Sequence, residues 1–342
     1  MRGGSGSAPV PVLAAVAEAT MRCVVLALLL ARTTAIAVPP GQSGAPPAQY
    51  EAYVLALEWQ PTWSLDACPS GKQENAALIR HFEAAEGAFA RTHLSLHGLW
   101  PNYTPSMHQG YQWPQFCNVS GVDFPACEAH PQLAQCQPSQ AAVAAFNVSA
   151  RWQQWTLQYA WGELASHEWG KHGSCTPWSA NVTEQLHYWE WQERAFKAAS
   201  AGRGPQLVSA SVGRNISYRA LNAAFVADMG GAQVSLVCAE GCRLEQAWLS
   251  YEAAPSTLEP LVTPAHAVNM SGAGTCATCE AVHIPEWLGC PTAPPPTPPA
   301  TTCAHDQHGP PCTSDAQCLH VSGCVRCAHS GFCTDLPAIP CA

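Results

Sequence analysis

The chain has 342 residues, enough to bury one large core and carry a small appendage, and its formal net charge is -9. That balance excludes a bulk nucleic-acid binder, because an acidic surface does not attract phosphodiester backbones, so any phosphate must meet a local cationic pocket. Eighteen cysteines exclude ordinary cytosolic usage and point to a disulfide scaffold from an oxidising compartment.

From Met21 the chain reads Met21, Arg22, the apolar run CVVLALLLA and then Ala35-Ile36-Ala37. This is the order of a secretory signal peptide: charged start, short apolar core, small-residue cleavage site. Residues 1–37 are expected to be removed together with Cys23, with Met21 as a candidate start. No later apolar run reaches about eighteen residues, so no membrane partner is expected.

Residues 38–49 are rich in proline, glycine and small residues, which predicts a flexible leader before the fold starts at Tyr50. Tyr53, Leu55, Leu57 and Trp59 alternate with Val54, Ala56 and Glu58, the pattern of a strand apolar on both faces and therefore central, closed by Pro61. Residues 73–91 space Ala77, Leu78, Phe82 and Phe89 as the stripe of a helix. Leu94, Leu96 and Leu99 predict a second strand whose polar face carries His97.

Residues 101–140 read as loops pinned by bridges. Helical pattern runs from Gln140 to about Lys171 and again from Glu184 to Ser200. Strands follow at QVSLVC (233–238) and AWLSYE (247–252), separated by the turn AEGC. Strands and helices without a repeating βα unit predict an α+β fold, a central antiparallel sheet packed with several helices over residues 50–290. Residues 291–302 form a proline-rich linker, and residues 303–342 hold seven cysteines in forty residues, a bridge-stapled module with too little apolar mass for a core. Sequons at Asn102, Asn118, Asn147, Asn181, Asn215 and Asn269 agree with export.

The segment HEWGKHGSC (167–175) carries the densest chemistry. On a helix at about 100° per residue, His167, Glu168, Lys171 and His172 fall within an arc of about 140° and face one cleft. Two imidazoles, a carboxylate and an ammonium belong at a polar cleft, because each would need a partner in a core. H-E-x-x-H would signal zinc, but here the histidines are five apart, an offset that disfavours shared ligation from one helix; no metal and no cofactor are expected. Two histidines instead serve as base and acid in one turnover, and a lysine stabilises an anionic transition state. That suits cleavage of RNA, whose 2′-hydroxyl supplies the nucleophile.

LSLHGLWP (94–101) followed by HEWGKHGSC resembles the two signature segments of the ribonuclease T2 family, and the similarity extends loosely over residues 50–290. The resemblance implies His97 as general acid for the leaving 5′-oxygen and His172 as general base for the 2′-hydroxyl. It implies Glu168 and Lys171 as stabilisers of the pentacoordinate phosphate and His167 as a phosphate contact. It implies cleavage of single-stranded RNA through a 2′,3′-cyclic phosphate, with low base specificity and an acidic optimum. Trp100 matches the family's base-stacking tryptophan, and Tyr111 or Trp113 is the candidate for the other wall.

The chain departs from the family pattern at Asn102, where many members have aspartate, and at Ala165, where an aromatic is usual. The resemblance implies a Cys117–Cys175 bridge. Cys238 lacks its usual partner, since Leu249 stands there, and nearby Cys242 is the candidate replacement. Cys276-x-x-Cys279 reads as structural.

In the C-terminal module the spacing from Cys303 through Cys312, Cys318, Cys324, Cys327 and Cys333 resembles the knottin carboxypeptidase inhibitors of plants. Cys341 would tie down the tail such inhibitors insert, so a binding or stability role, with a protein or carbohydrate partner, is favoured. The competing reading of the whole chain is a non-enzymatic secreted glycoprotein acting by binding or protease inhibition. The presence of His97, Glu168, Lys171 and His172 favours a monomeric ribonuclease, secreted or delivered to a vacuole or lysosome.

Overall fold

The computed structural model describes residues 41–67, 78–80, 82–104, 108, 110–139, 141–142, 155, 158–159, 164–181, 184–269, 272, 274–289, 318, 326–327 and 333–334. The expected signal peptide and proline-rich linker lie outside the described residues, as does most of the C-terminal module. Of that module, Cys318 is disulfide-bonded and Arg326–Cys327 pairs antiparallel with Cys333–Thr334.

Among the described residues, β1 (Ala52–Glu58), β2 (Ser95–Asn102), β3 (Arg214–Ser217), β4 (Ser235–Ala239), β5 (Arg243–Glu252) and β6 (Ala281–Ile284) form one sheet. Its order is β2-β1-β5-β6-β3, with β4 also paired to β5. Pairing is antiparallel except for a single parallel bridge, Arg243 to His283, between β5 and β6. The helices are α1 (Gln60–Ala67), α2 (Leu164–Lys171), α3 (Gln185–Ser200), α4 (Arg203–Ala210) and α5 (Tyr218–Asp228). This is the α+β architecture expected. No helix among the described residues is long and apolar enough to cross a membrane.

β1 is buried along its whole length and pairs on both edges, as its two apolar faces require. Its odd residues Tyr53, Leu55 and Leu57 share one core with Leu96 and Leu99 of β2, Ala247, Leu249 and Tyr251 of β5, and Tyr188, Trp189, Ala195 and Phe196 of α3. On α3 those four positions recur at helical spacing, one stripe turned to the sheet. The even residues of β1 belong to the opposite face, which bears the site.

Several elements differ from expectation. The helix expected over 73–91 is α-helical where described up to Glu83, then a 3₁₀ turn at Ala85–Ala88. Leu78, Phe82 and Ala90 form a separate small core with Trp63 and Trp287 packed on it. Of the helix expected from Gln140 to about Lys171, residues 141–142, 155 and 158–159 are helical, and α2 occupies its last part. β5 begins at Arg243, ahead of the expected 247, because the AEGC turn is tight: Gly241 and Cys242 both take positive φ, 73° and 58°.

The leader expected up to Gln49 is anchored from Gln42. Gln42–Ser43 pairs with Pro114–Gln115, Ala45 is buried, and the Ala48 amide donates to the Cys175 carbonyl at 2.8 Å. Proline-rich composition suggested flexibility, but the partner strand lies 72 residues on, Pro114 opposite Gln42, and only the fold supplies it.

Cys117–Cys175 is formed, and a second bridge joins Cys127 to Cys136. The Cys238–Cys242 pairing is corrected: the bridges are Cys238–Cys276 and Cys242–Cys279. The 3₁₀ turn Thr275–Thr278 lies against the end of β4, where Thr275 Oγ1 accepts from the Cys238 amide at 2.8 Å and donates to its carbonyl at 3.0 Å. Each cysteine of the C-x-x-C spacing therefore meets one cysteine of the β4–β5 hairpin.

Candidate active site

Cross-strand register builds the floor. Ala56 faces Gly98 on β2 and Trp248 on β5, Val54 faces Trp100 and Ser250, and Glu58 faces Ser95 and Gln246. The β1–β2 register then slips: Ala56 pairs with Gly98 but Leu57 with Leu96, so His97 is the extra residue of a β-bulge. A bulge re-aims its side chain, here into the cleft. The Tyr159 hydroxyl, 2.5 Å from the His97 carbonyl, anchors it.

α2 lies over this floor. Gly98 leaves the space that Glu168 fills, for a Cβ there would stand 1.9 Å from Glu168 Oε2. Glu168 is fully buried; its Oε2 accepts from Trp100 Nε1 at 2.8 Å, and its Oε1, which makes no hydrogen bond, lies 3.5 Å from His97 Nε2. α2 ends at Lys171, where the Phe116 amide caps the Lys171 carbonyl at 2.8 Å and the Cys117–Cys175 bridge fastens the following turn.

His172 is therefore just past the helix, opening a 3₁₀ turn. Its buried ring stacks on Trp100 at 5.1 Å and 21°, while His97 meets the same indole edge-on at 5.3 Å. The expectation of one continuous helical face is corrected here, and with it the angular objection to shared ligation. Donor atoms of His167, Glu168 and His172 all lie within 4.8 Å of one another, so these three residues could hold a metal.

One cavity of about 460 Å³ is lined by His97, Trp100, His167, Lys171 and His172, and also by Tyr111 and Trp113 on the facing loop. Every candidate from the sequence reaches it except Glu168, which lies beneath. The loop is braced by the N-terminal segment, Gln42 donating to the Trp113 carbonyl at 2.8 Å. Sequence reasoning missed Val54, Gln246 and Trp248 in the lining and Glu58 behind it. The alternation of AWLSYE could have put Trp248 on the site face, but the register that sets it opposite Ala56 is not a local property.

Burial governs the electrostatics. It pushes Glu168 up to about 8, against the lowering effect of the Trp100 bond and Lys171, and pushes Glu58 up to about 8 with help from Glu245. Burial, reinforced by His167 and Lys171, lowers His97 to about 3; burial, Lys171 and the other two histidines hold His172 well below its usual range. His167, at the rim, is lowered to about 4 by the surrounding protein and by Lys171. The cleft thus crowds groups that favour positive charge once an anion arrives, an arrangement suited to binding a phosphate and moving protons beside it.

The ribonuclease T2 family model matches residues 50–260. Among solved structures the chain is similar to trichomaglin, an S-like ribonuclease, at 15% identity, 70% of this chain, 99% of that chain and a TM-score of 0.44. It is also similar to an RNase-related protein from Calystegia sepium, at 17% identity, 69% and 97% coverage and a TM-score of 0.42. A mutant of ribonuclease MC1 shares 16% identity, with 68% and 99% coverage and a TM-score of 0.41. No curated protein sequence matches the chain. With the family model covering more than half of its length, the chain belongs to the ribonuclease T2 family.

Proposed function

We propose that this chain is a metal-independent endoribonuclease that cleaves single-stranded RNA by transphosphorylation through 2′,3′-cyclic phosphates, with an acidic optimum. The observation that carries this reading is the pair of histidines, His97 and His172, set against two sides of one indole in a cavity that Lys171 also lines.

His172 takes the 2′-hydroxyl proton, the 2′-oxygen attacks phosphorus, and His97 gives its proton to the departing 5′-oxygen. Lys171 and His167 meet the phosphate oxygens, and Glu168 acts beside them on the pentacoordinate phosphate. In the second step water opens the cyclic phosphate with the histidine roles exchanged. DNA has no 2′-hydroxyl and does not react. Trp100, Tyr111 and Trp113 offer aromatic surface to the bases, which favours low base specificity. The four described disulfides support action outside the cytosol, in the medium or a vacuole or lysosome.

The test is release of cyclic phosphates from single-stranded RNA in EDTA at about pH 5, comparing native protein with His97→Ala and His172→Ala. Native protein is expected to yield cyclic products, and each variant at least about a hundredfold less. Native activity present with a divalent metal ion and absent in EDTA would overturn metal independence. No cleavage by folded native protein under any of these conditions would leave a binding glycoprotein.

A further inference from the structure

Trp248 and Gln246 stand on the same face of β5, and the Trp248 indole Nε1 donates to Gln246 Oε1 at 2.6 Å. An indole N–H can only donate, so it fixes which end of the amide is oxygen and turns the NH₂ the other way. There Gln246 Nε2 lies 3.4 Å from His97 Nδ1. An amide NH₂ cannot accept, so Nδ1 is the acceptor, and the neutral His97 ring carries its proton on Nε2, the nitrogen facing Glu168.

A charged His97 ring reverses the requirement. Its Nδ1–H then faces an NH₂ and needs an acceptor, and Glu58 Oε2 stands 3.8 Å from Nδ1. That oxygen is held in place by Gln60 Nε2 at 2.7 Å and Gln158 Nε2 at 3.4 Å. Strand register builds the triangle: Glu58 is the direct partner of Gln246 on β5, and His97 is the bulged residue of β2, Glu58's other partner strand.

We infer that Gln246, oriented by Trp248, and Glu58 are positioning residues acting on His97 in opposite directions: the amide holds the resting ring with its proton on Nε2, and the Glu58 carboxyl is the partner of the Nδ1 proton when the ring is charged. This rests on the proposal that His97 moves a proton in the reaction. When it does, the Nε2–H bond breaks as the leaving oxygen gains that proton, and the remaining Nδ1–H stays against Glu58. The other charged or titratable groups around the ring are Glu168, His167 and Lys171 of α2 and His172 beyond it, while Glu245 acts on Glu58.

The test reads the ring directly, by ¹⁵N NMR of histidine-labelled protein across pH, alongside pH–rate profiles, for native, Trp248→Phe, Gln246→Glu and Glu58→Gln. Native His97 is expected as the Nε2–H tautomer when neutral. Trp248→Phe frees the amide to offer its oxygen, and Gln246→Glu supplies a carboxylate. Both are expected to raise the ring pKa and move the alkaline limb of kcat/KM up by about one pH unit, a tenfold gain above the native limb. Glu58→Gln, which replaces a carboxyl that is itself protonated in acid and takes away only part of the acceptor for the Nδ1 proton, is expected to move both down by less, about twofold in rate at the native limb.

A native Nδ1–H tautomer, or variants that keep the native ring pKa and profile while rates fall uniformly, would overturn the inference. The NMR reading needs no turnover, so native protein that shows the expected tautomer but cuts no RNA overturns the enzyme reading alone. Should Glu58→Gln fail to fold, the two upward-shifting variants still decide.

Discussion

Gly98→Ala adds one methyl group at the tightest point of the site. The new Cβ would stand 1.9 Å from Glu168 Oε2, 2.6 Å from its Cδ and 2.5 Å from Trp100 Nε1. Ordinary van der Waals contact begins at 3.4 Å, so the carboxylate must retreat by about 1.5 Å. Glu168 is fully buried, and retreat breaks the 2.8 Å bond from Trp100, which also stacks on His172. Overpacking of this kind costs about 1–3 kcal/mol, which for a domain of this size lowers Tm by about 2–12 °C. A misplacement of about 1 Å at the reacting centre costs on the order of a hundredfold in kcat. The assay is a thermal melt together with kcat for release of cyclic phosphate, with Gly272→Ala as control, since a Cβ there meets nothing within 4 Å. A Gly98→Ala protein with native Tm and with kcat within about twofold of native would refute the packing of Glu168 against β2.

Three further outcomes follow from the same structure. Burial raises Glu58 and Glu168 from 4.5 to about 8, so folding takes up protons between those values and stability grows as pH falls towards 4.5. His97 is lowered from 6.5 to about 3, and His172 is lowered also, so from 6.5 downward the unfolded chain binds the extra protons. His167 is lowered likewise, so three histidines oppose two carboxyls, and denaturant melts should show stability lost above about pH 6.5, a shallow loss from there down to about 4.5 and a steeper loss below; monotonic growth towards pH 8 would contradict the buried carboxyls. Replacing Cys238 and Cys276 together by serine should cost about 2–3 kcal/mol by chain entropy, less than an isolated bridge of separation 38 because Cys242–Cys279 already closes nearly the same loop, and is read as a fall in Tm; an unchanged Tm would refute the pairing. Finally, the RNA phosphate opposes the cationic crowding of the cleft, so the alkaline limb of kcat should lie about one unit above that of kcat/KM, and coincident limbs would refute the electrostatic account.

What was legible in the chain was chemistry held in short segments. His97 and Trp100 share one strand, and His167, Glu168, Lys171 and His172 share one helix end, so spacing placed each group together, and the resemblance to the ribonuclease T2 family implied that the two groups share one site. β1 was legible because burial on both faces leaves a continuous apolar run. What could not be read depends on partners remote in sequence. The bulge at His97 exists only against β1, and Gln246 meets His97 only because β5 pairs with β1's other edge. The end of α2 was hidden too: a Cβ at Gly173 would stand 2.3 Å from the Trp169 ring, a constraint of packing that no periodicity reveals. The Cys238 bridge escaped for the same reason, since sequence proximity favoured Cys242 while the fold brings up the turn at Thr275–Thr278.

A chain of net charge -9 must still admit a phosphodiester, and the placement of its carboxyls explains how. The two acids nearest the histidines, Glu58 and Glu168, are both buried behind the rings and both pushed up to about 8. Through the acidic range they carry protons and add no negative charge to the cleft that Lys171 lines. His167 at the rim gains charge as pH falls towards about 4. The local potential therefore turns positive in acid even where the protein as a whole repels RNA. Above about pH 8 the same two carboxyls ionise against the site, and the cleft joins the rest of the surface in excluding its substrate. The acid preference proposed for this ribonuclease then has two physical sources, the protonation of its catalytic imidazole and the silencing of the acids behind it.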